Sequence, residues 1–305
     1  MVVTGKGGVG KSTVAAALGI AAAKAGLRTV VSEVGSQGQV PRLLGAPAGR
    51  EGRPEEAGPG LWTMEIEPDE ALAEWLRRAA GHAAAALLTH SATLDAFVAA
   101  APGARELIVI GKVWDLLRDE DGGGTGRRFD LVILDAPSTG HAVALLRAPT
   151  SYAGIARGPV GHQAADVRDA LAANPPTAIV GVAEPADLPV TELLFLERRL
   201  REELGRGIDA AVVNRRLPRR FTGPEVERVE RRLGGTPLAR ACRTHHTRRA
   251  GQDRQVARLH RELPVPTVEL PYVIAPALGP ADTGRLAEGL GRRLDGLLPP
   301  GSLAP

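Results

Sequence analysis

Thiols are nearly absent from this chain. Cys242 is the one cysteine in 305 residues, which excludes an internal disulfide framework and any multi-cysteine zinc or iron–sulfur site built within one chain; a buried, inert thiol is the expectation. Lysine is almost as scarce, with 4 against 34 arginines. No apolar run has membrane-spanning character. The most apolar stretch, 79–104, is mostly alanine and is interrupted by His82, His90, Asp95 and Pro102-Gly103, so a soluble helical segment is expected there. No charged-then-apolar leader stands before residue 5, where the first motif starts, and this predicts a cytoplasmic protein without a signal peptide. The 44% hydrophobic content suffices for one large α/β domain or two small ones with a packed core.

What is present begins at Gly5. Gly5-Lys6-Gly7-Gly8-Val9-Gly10-Lys11-Ser12 fits GxxxxGK[ST], with Thr13 next. Such a loop turns successive backbone N–H groups inward on a β-phosphate, while Lys11 reaches the β- and γ-oxygens and Ser12 offers a hydroxyl to Mg²⁺. Met1-Val2-Val3 reads as the end of a strand, short beside the usual length of about five or six residues. Val14 to Lys24 is an Ala-rich run of helix formers, so strand, loop and helix come in the order a phosphate cradle requires. Lys6 is a lysine more than such a loop needs; a solvated loop charge is the plain alternative.

Apolar runs at Thr29–Ser32, Leu61–Ile66, Phe129–Leu134, Thr177–Ala183, Ala210–Val213 and Val265–Leu270 recur between helical stretches. This alternation predicts an α/β fold, a mostly parallel sheet with helices on both faces, as one domain over 1–298 followed by a frayed tail at 299–305. A helical insertion over about 68–117 opens at Pro68, with Asp69 and Glu70 in its first turn. Leu72, Trp75, Leu76, Ala79, Ala83 and Leu87 share one face, and Leu107, Ile110, Trp114 and Leu117 form a second stripe. These stripes either line a groove for an apolar client or cover the sheet. Gly45–Gly60 and Asp121–Arg128 read as loops. Net charge is only +3, yet residues 198–261 hold 18 Arg against 7 acidic residues. That excess suggests an anionic partner, or else the solvated helix faces of an arginine-biased sequence.

Phe129-Asp130-Leu131-Val132-Ile133-Leu134-Asp135 is an apolar strand ending in a carboxylate, the form in which P-loop proteins present an acid to Mg²⁺ or its waters. Asp135 therefore joins Ser12 as a candidate metal residue. The octet with its second lysine resembles the deviant P-loop ATPases. Asp135-Ala136-Pro137-Ser138-Thr139-Gly140-His141 narrows the resemblance to the arsenite-pump and tail-anchored-protein-targeting ATPases. Met64-Glu65-Ile66-Glu67-Pro68, Ala101-Pro102-Gly103, Glu184 with Leu188-Pro189-Val190-Thr191-Glu192, and Val212-Val213-Asn214-Arg215 point the same way. Glu33-Val34 followed by Gly38, with Gly111-Lys112 and Gly158-Pro159-Val160, is most similar to the bacterial anion-transporting ATPase branch; the resemblance spans about residues 1–275. It implies a P-loop NTPase with ATP and Mg²⁺ as cofactors. It also implies a homodimer, or a heterodimer with a paralogue, in which Lys6 reaches the partner subunit's nucleotide. Asn214, one of two asparagines, would contact adenine, since its amide pairs with both a donor and an acceptor, or else cap its strand. Pro271-Tyr272 falls where the family's adenine loop would lie.

Three departures from the family bear on function. One cysteine cannot build the trigonal thiolate site of arsenite-binding members, and there is no CxxC pair for the zinc that bridges targeting-factor dimers. The switch segment after the second strand usually reads Asp-Pro-Ala-His, with the Asp positioning the attacking water; here Ser32-Glu33-Val34-Gly35-Ser36-Gln37-Gly38 stands instead, with Gly35 in the aspartate's place. Glu33 is the nearest carboxylate, facing into the sheet or reaching Mg²⁺ through water, and Gln37 is an amide that could orient a water as in GTPases. The expectation is a dimeric nucleotide switch that hydrolyses MgATP, slowly, for an unidentified protein client or membrane-associated partner. Lys6, Lys11, Glu33 and Asp135 are its catalytic candidates; Gly5, Gly7, Gly8, Val9, Gly10, Lys11, Ser12, Thr13 and Asn214 are its nucleotide-binding ones. A client-binding chaperone or targeting module with weak hydrolysis is one alternative. A partitioning-type ATPase is another, although nucleic acid is the least expected partner. The expected location is cytoplasmic, with peripheral attachment to a membrane left open.

Overall fold

Val2-Val3, Val30-Val31, Val132-Ile133-Leu134, Val180 and Val212-Val213 place β-branched and apolar side chains on both faces of their strands, the pattern of strands buried on both sides in a parallel sheet. The computed structural model describes residues 1–35, 38–47, 52–80, 103–117, 128–154, 159–173 and 177–291; the side chains of 75–80 and 159–160 lie outside the description. Eight strands are described: β1 (Val2–Gly5), β2 (Thr29–Val34), β3 (Glu55–Gly58), β4 (Leu61–Ile66), β5 (Leu131–Ser138), β6 (Ile179–Ala183), β7 (Ala210–Arg216) and β8 (Thr267–Pro271). Their order across the sheet is β3-β4-β2-β5-β1-β6-β7-β8, and only the β3–β4 pairing is antiparallel. The chain builds leftward from β1 through β2 and β4, then returns through β5 and crosses to β6 on the other side. The strand order therefore reverses beside β1, which is where open α/β sheets bind ligands at their carboxyl ends.

Helices cover both faces. α1 (Lys11–Lys24), α2 (Gln39–Leu44) and α10 (Pro280–Gly291) pack on one, around Val3, Val31, Ile133, Val180 and Val212. α1 is buried nearly all round, and its alanines let it sit close under both the sheet and α10. The opposite face carries α4 (Ala104–Leu117), α5 (Thr139–Ala153), α7 (Asp187–Leu204) and α9 (Pro237–Glu262), packed around Val2, Val30, Val132, Leu134 and Ile179. α6 (Pro159–Ala172) lies against α5, and α8 (Gly223–Leu233) against α9. No described helix is long and apolar enough to cross a membrane.

One expected loop is in part a strand: Glu55–Gly58, inside the Gly45–Gly60 stretch, pairs antiparallel with β4 at the sheet's edge. Of the insertion, α3 (Pro68–Ala80) and α4 are described; Ala83 and Leu87, and the side chains of Trp75, Leu76 and Ala79, lie outside the description, as do Gln37, most of the 121–128 loop and the 299–305 tail. Ile110 is buried, while Leu107, Trp114 and Leu117 pack half-buried against the core, so this second stripe covers the sheet. Most arginines of 198–261 have a carboxylate within 4.0 Å, among them Arg206 with Asp209, Arg258 with Asp187 and Arg243 with Glu230. Cys242 is a buried free thiol.

Candidate functional site

The glycine loop is shaped by two close approaches. A Cβ on Gly5 would sit 2.1 Å from the carbonyl oxygen of Val182 on β6, and one on Gly10 would sit 2.3 Å from Nδ2 of Asn214; only glycine fits either place. Gly10, at φ 90, starts α1 in a left-handed conformation, and no side chain caps the helix. Its first-turn N–H groups and the positive end of its dipole are thus left for an anion. Lys11 folds back over the loop, Nζ donating to the carbonyl of Lys6 at 3.4 Å. Burial draws its pKa below the ordinary lysine range, and the charge of Asp135 opposes that pull.

Asp135 lies in register with Val3 of β1 on one side and Glu33 of β2 on the other. Burial raises its pKa to about 6, against a hydrogen bond from the Ser12 hydroxyl and the charge of Lys11. Its Oδ1 is buried and has no protein partner. The fold thus brings the serine and the carboxylate that the sequence offers separately to one site, with one acidic oxygen left over.

Glu33 is almost fully buried and is opposed in register by Glu65 of β4 as well as by Asp135. Its Oε2 accepts from the backbone N–H of Val40 at 2.9 Å, holding the start of α2, while Oε1 has no partner. Burial raises its pKa, the Val40 hydrogen bond lowers it, and the like charges of Glu65 and Asp135 raise it further. Gly35 has φ 80 and donates its N–H to Ile66.

Lys6 points along its own chain. Its Nζ is 3.8 Å from Oε1 of Glu192 on α7, whose Oε2 accepts from the hydroxyl of Thr139 at 3.3 Å. Glu192 therefore spans the glycine loop and the start of α5, just beyond Asp135. Its Leu188–Glu192 motif is visible in the sequence, but its partners are far away along the chain. Asn214 is buried at the end of β7; Nδ2 donates to the carbonyl of Val9 at 2.9 Å and Oδ1 accepts from the N–H of Arg215 at 2.9 Å. The amide read from sequence as an adenine contact or a strand cap is here a brace between β7 and the glycine loop. Beside it opens a cavity of about 720 Å³, lined by Glu184, Asp187, Arg215, Gln252 and Tyr272 among others. Glu184 and Arg215 were visible in the sequence only as part of a motif, without a role.

A central parallel strand that passes through a glycine loop into an uncapped helix, beside a strand that carries a buried carboxylate, defines a P-loop nucleotide-binding protein. The chain belongs to the anion-transporting ATPase family, whose model matches residues 1–157. It is similar to the ATPase BagA of Mycobacterium tuberculosis, with 30% identity over 227 residues that cover 71% of this chain and 64% of that protein. It is also similar to the arsenical pump-driving ATPases of Acidiphilium multivorum and Escherichia coli, at 29% and 27% identity over 149 residues, 49% of this chain and 25% of each of those proteins. The chain thus spans just under two thirds of the mycobacterial relative's length and a quarter of the arsenical pumps'.

Proposed function

We propose that this chain binds ATP with Mg²⁺ and hydrolyses it, and that turnover drives a switch coupled to a protein or membrane partner. The observation that carries this reading is the buried, unpartnered Oδ1 of Asp135 on the strand beside the glycine loop, with the uncapped start of α1 and Lys11. Hydroxyl and carboxylate oxygens are the donors Mg²⁺ prefers, and the orphaned Oδ1 of Asp135 fits such an ion. When bound there, Mg²⁺ would neutralise charge on the phosphate oxygens. The chain's own groups do the rest: the loop amides and the α1 N-terminus hold the phosphates, and Lys11 balances charge developing on the γ-phosphoryl group. Lys6 belongs to a two-fold arrangement, a homodimer or a pair with a paralogue, in which it leaves Glu192 for the other subunit's nucleotide. Loss of the γ-phosphate releases the segments at Gly35 and Asp135, and α5 carries the change outward.

The test is phosphate release from MgATP by the purified chain, with Lys11→Ala as control. Turnover is expected in the parent and a loss of at least about 100-fold in the variant, in line with removal of one group that stabilises transition-state charge. Equal turnover in both would refute the assignment.

A further inference from the structure

α8 and α9 form a helical hairpin of which only one end is anchored. Val256 and Leu259 of α9 belong to the core around Val2 and Ile179, and Arg258 pairs with Asp187 of α7. Toward its start α9 buries only Ala239 and Cys242, and the one residue that α8 buries is Val226. Along this stretch the two helices pack mainly on each other. About 28 Å of helix, at 1.5 Å per residue, separates Val256 from Pro237. Among the described residues, no hydrogen bond or ion pair joins 228–244 to anything outside the two helices and their joint at 234–236. Leu233, the last residue of α8, is 42% exposed, and Leu238, in the first turn of α9, is 59% exposed. Around them, residues 228–243 hold five arginines against a single acid, Glu230. No described carboxylate pairs with Arg232 or Arg240; Arg240 instead donates to the carbonyl of Gly235 at 2.9 Å, which keeps its guanidinium at the joint.

Solvated helix faces account for the arginines but not for two leucines at the same free end. A second copy of the chain would bring the same arginines against one another. Nucleic acid would take the arginines and leave the leucines in water. A protein partner typically buries about 800 Å² per side, more than a narrow helical joint offers. A lipid surface takes both kinds of side chain: aliphatic groups enter the boundary beneath the headgroups, and guanidinium groups meet the phosphates above it. We propose that the free end of the α8–α9 hairpin docks on an anionic phospholipid surface, with Leu233 and Leu238 entering the acyl boundary and Arg232 and Arg240 meeting lipid phosphates. This gives the membrane partner of the reading above a place to dock, and the docking needs no nucleotide.

Sedimentation of the full chain with vesicles, without nucleotide, tests this. Binding to vesicles of equal parts phosphatidylcholine and phosphatidylglycerol is expected to be at least about tenfold tighter than to phosphatidylcholine alone, and to weaken as salt rises. Arg232→Gln with Arg240→Gln is expected to lose about 25-fold, near fivefold for each cation. Leu233→Ser with Leu238→Ser is expected to lose at least about tenfold. Both variants should unfold in urea as the parent does, since all four side chains are exposed. Arg198→Gln with Arg261→Gln, exposed cations of the basic segment away from the free end, should keep parental binding. The proposal is overturned if the parent binds both vesicles alike or binds neither, or if the Arg198 and Arg261 variant loses as much as the tip variants. It is also overturned if the leucine variant binds as the parent does, which would assign the basic tip to an acidic protein or to nucleic acid. Turnover of MgATP is read separately, so failure here leaves the nucleotide reading standing.

Discussion

At the scale of single residues, Asp135 carries its charge at a cost to the folded chain. Burial raises its pKa from 3.8 to about 6 although Ser12 and Lys11 both favour the ionised form. A carboxyl whose folded pKa lies above its unfolded value binds its proton more tightly in the native state, so its contribution is favourable at low pH and is lost as pH rises through about 4 to 6. In nucleotide-free protein with EDTA, Asp135→Asn is expected to raise the free energy of urea unfolding at pH 7.5 by about 1–3 kcal/mol, with the gain shrinking toward pH 4. A gain of equal size at both pH values would show that the strain is not electrostatic. Lys11, Ser12 and Asp135 were legible in the sequence because a fixed spacing and a strand-ending acid carry their chemistry. Glu192, Glu184 and Arg215 were not, since each acquires meaning only from a neighbour distant along the chain.

Among the elements, strands were legible where they carry an apolar run, as in β2, β4 and β5 and even β8 at one edge, and illegible in β3 at the other. Glu55-Glu56-Ala57-Gly58 has no apolar alternation, and an edge strand needs none because one of its sides is not covered. α2 has only six residues, too few for a helical period, and its start depends on the buried carboxylate of Glu33. Arg216 belongs to the same class of hidden feature. In sequence it is one more cation of the basic segment 198–261; in the fold it is buried, pairing with Glu269 of β8 at 2.5 Å and Asp253 of α9 at 2.6 Å. It ties α9 to the strand ends that wall the cavity. Arg216→Met keeps the volume but removes the buried guanidinium that joins Glu269 to Asp253, which keeps Arg249 at 3.1 Å, and is expected to cost about 1.5–3 kcal/mol in urea unfolding. A cost below about 1 kcal/mol, the value typical of exposed pairs, would mean that water replaces the guanidinium without loss.

For the molecule as a whole, the surplus lysine of the glycine loop decides between a self-contained site and a shared one. Lys6 and Glu192 are each about one-third exposed and 3.8 Å apart. An ion pair of that exposure and separation is worth less than about 1 kcal/mol, so a phosphate offered by a second copy would displace Glu192 readily. The pair thus holds Lys6 within its own chain until a stronger anion is presented, and Thr139 links that event to the start of α5. Light scattering at graded protein concentration tests this. With MgATP, in a Lys11-intact background, the mass is expected to move toward twice that of the chain. Glu192→Gln should lower the concentration at which it does so by a few-fold, because the competing anion is gone, and Lys6→Ala should raise it. The monomeric variants are expected to bind nucleotide as the parent does, checked by titration at low protein concentration, since the Lys6 side chain is turned to Glu192. If mass with MgATP stays that of one chain in the parent and in Glu192→Gln alike, a two-fold arrangement of identical copies is excluded and the second subunit, where one exists, is a different chain.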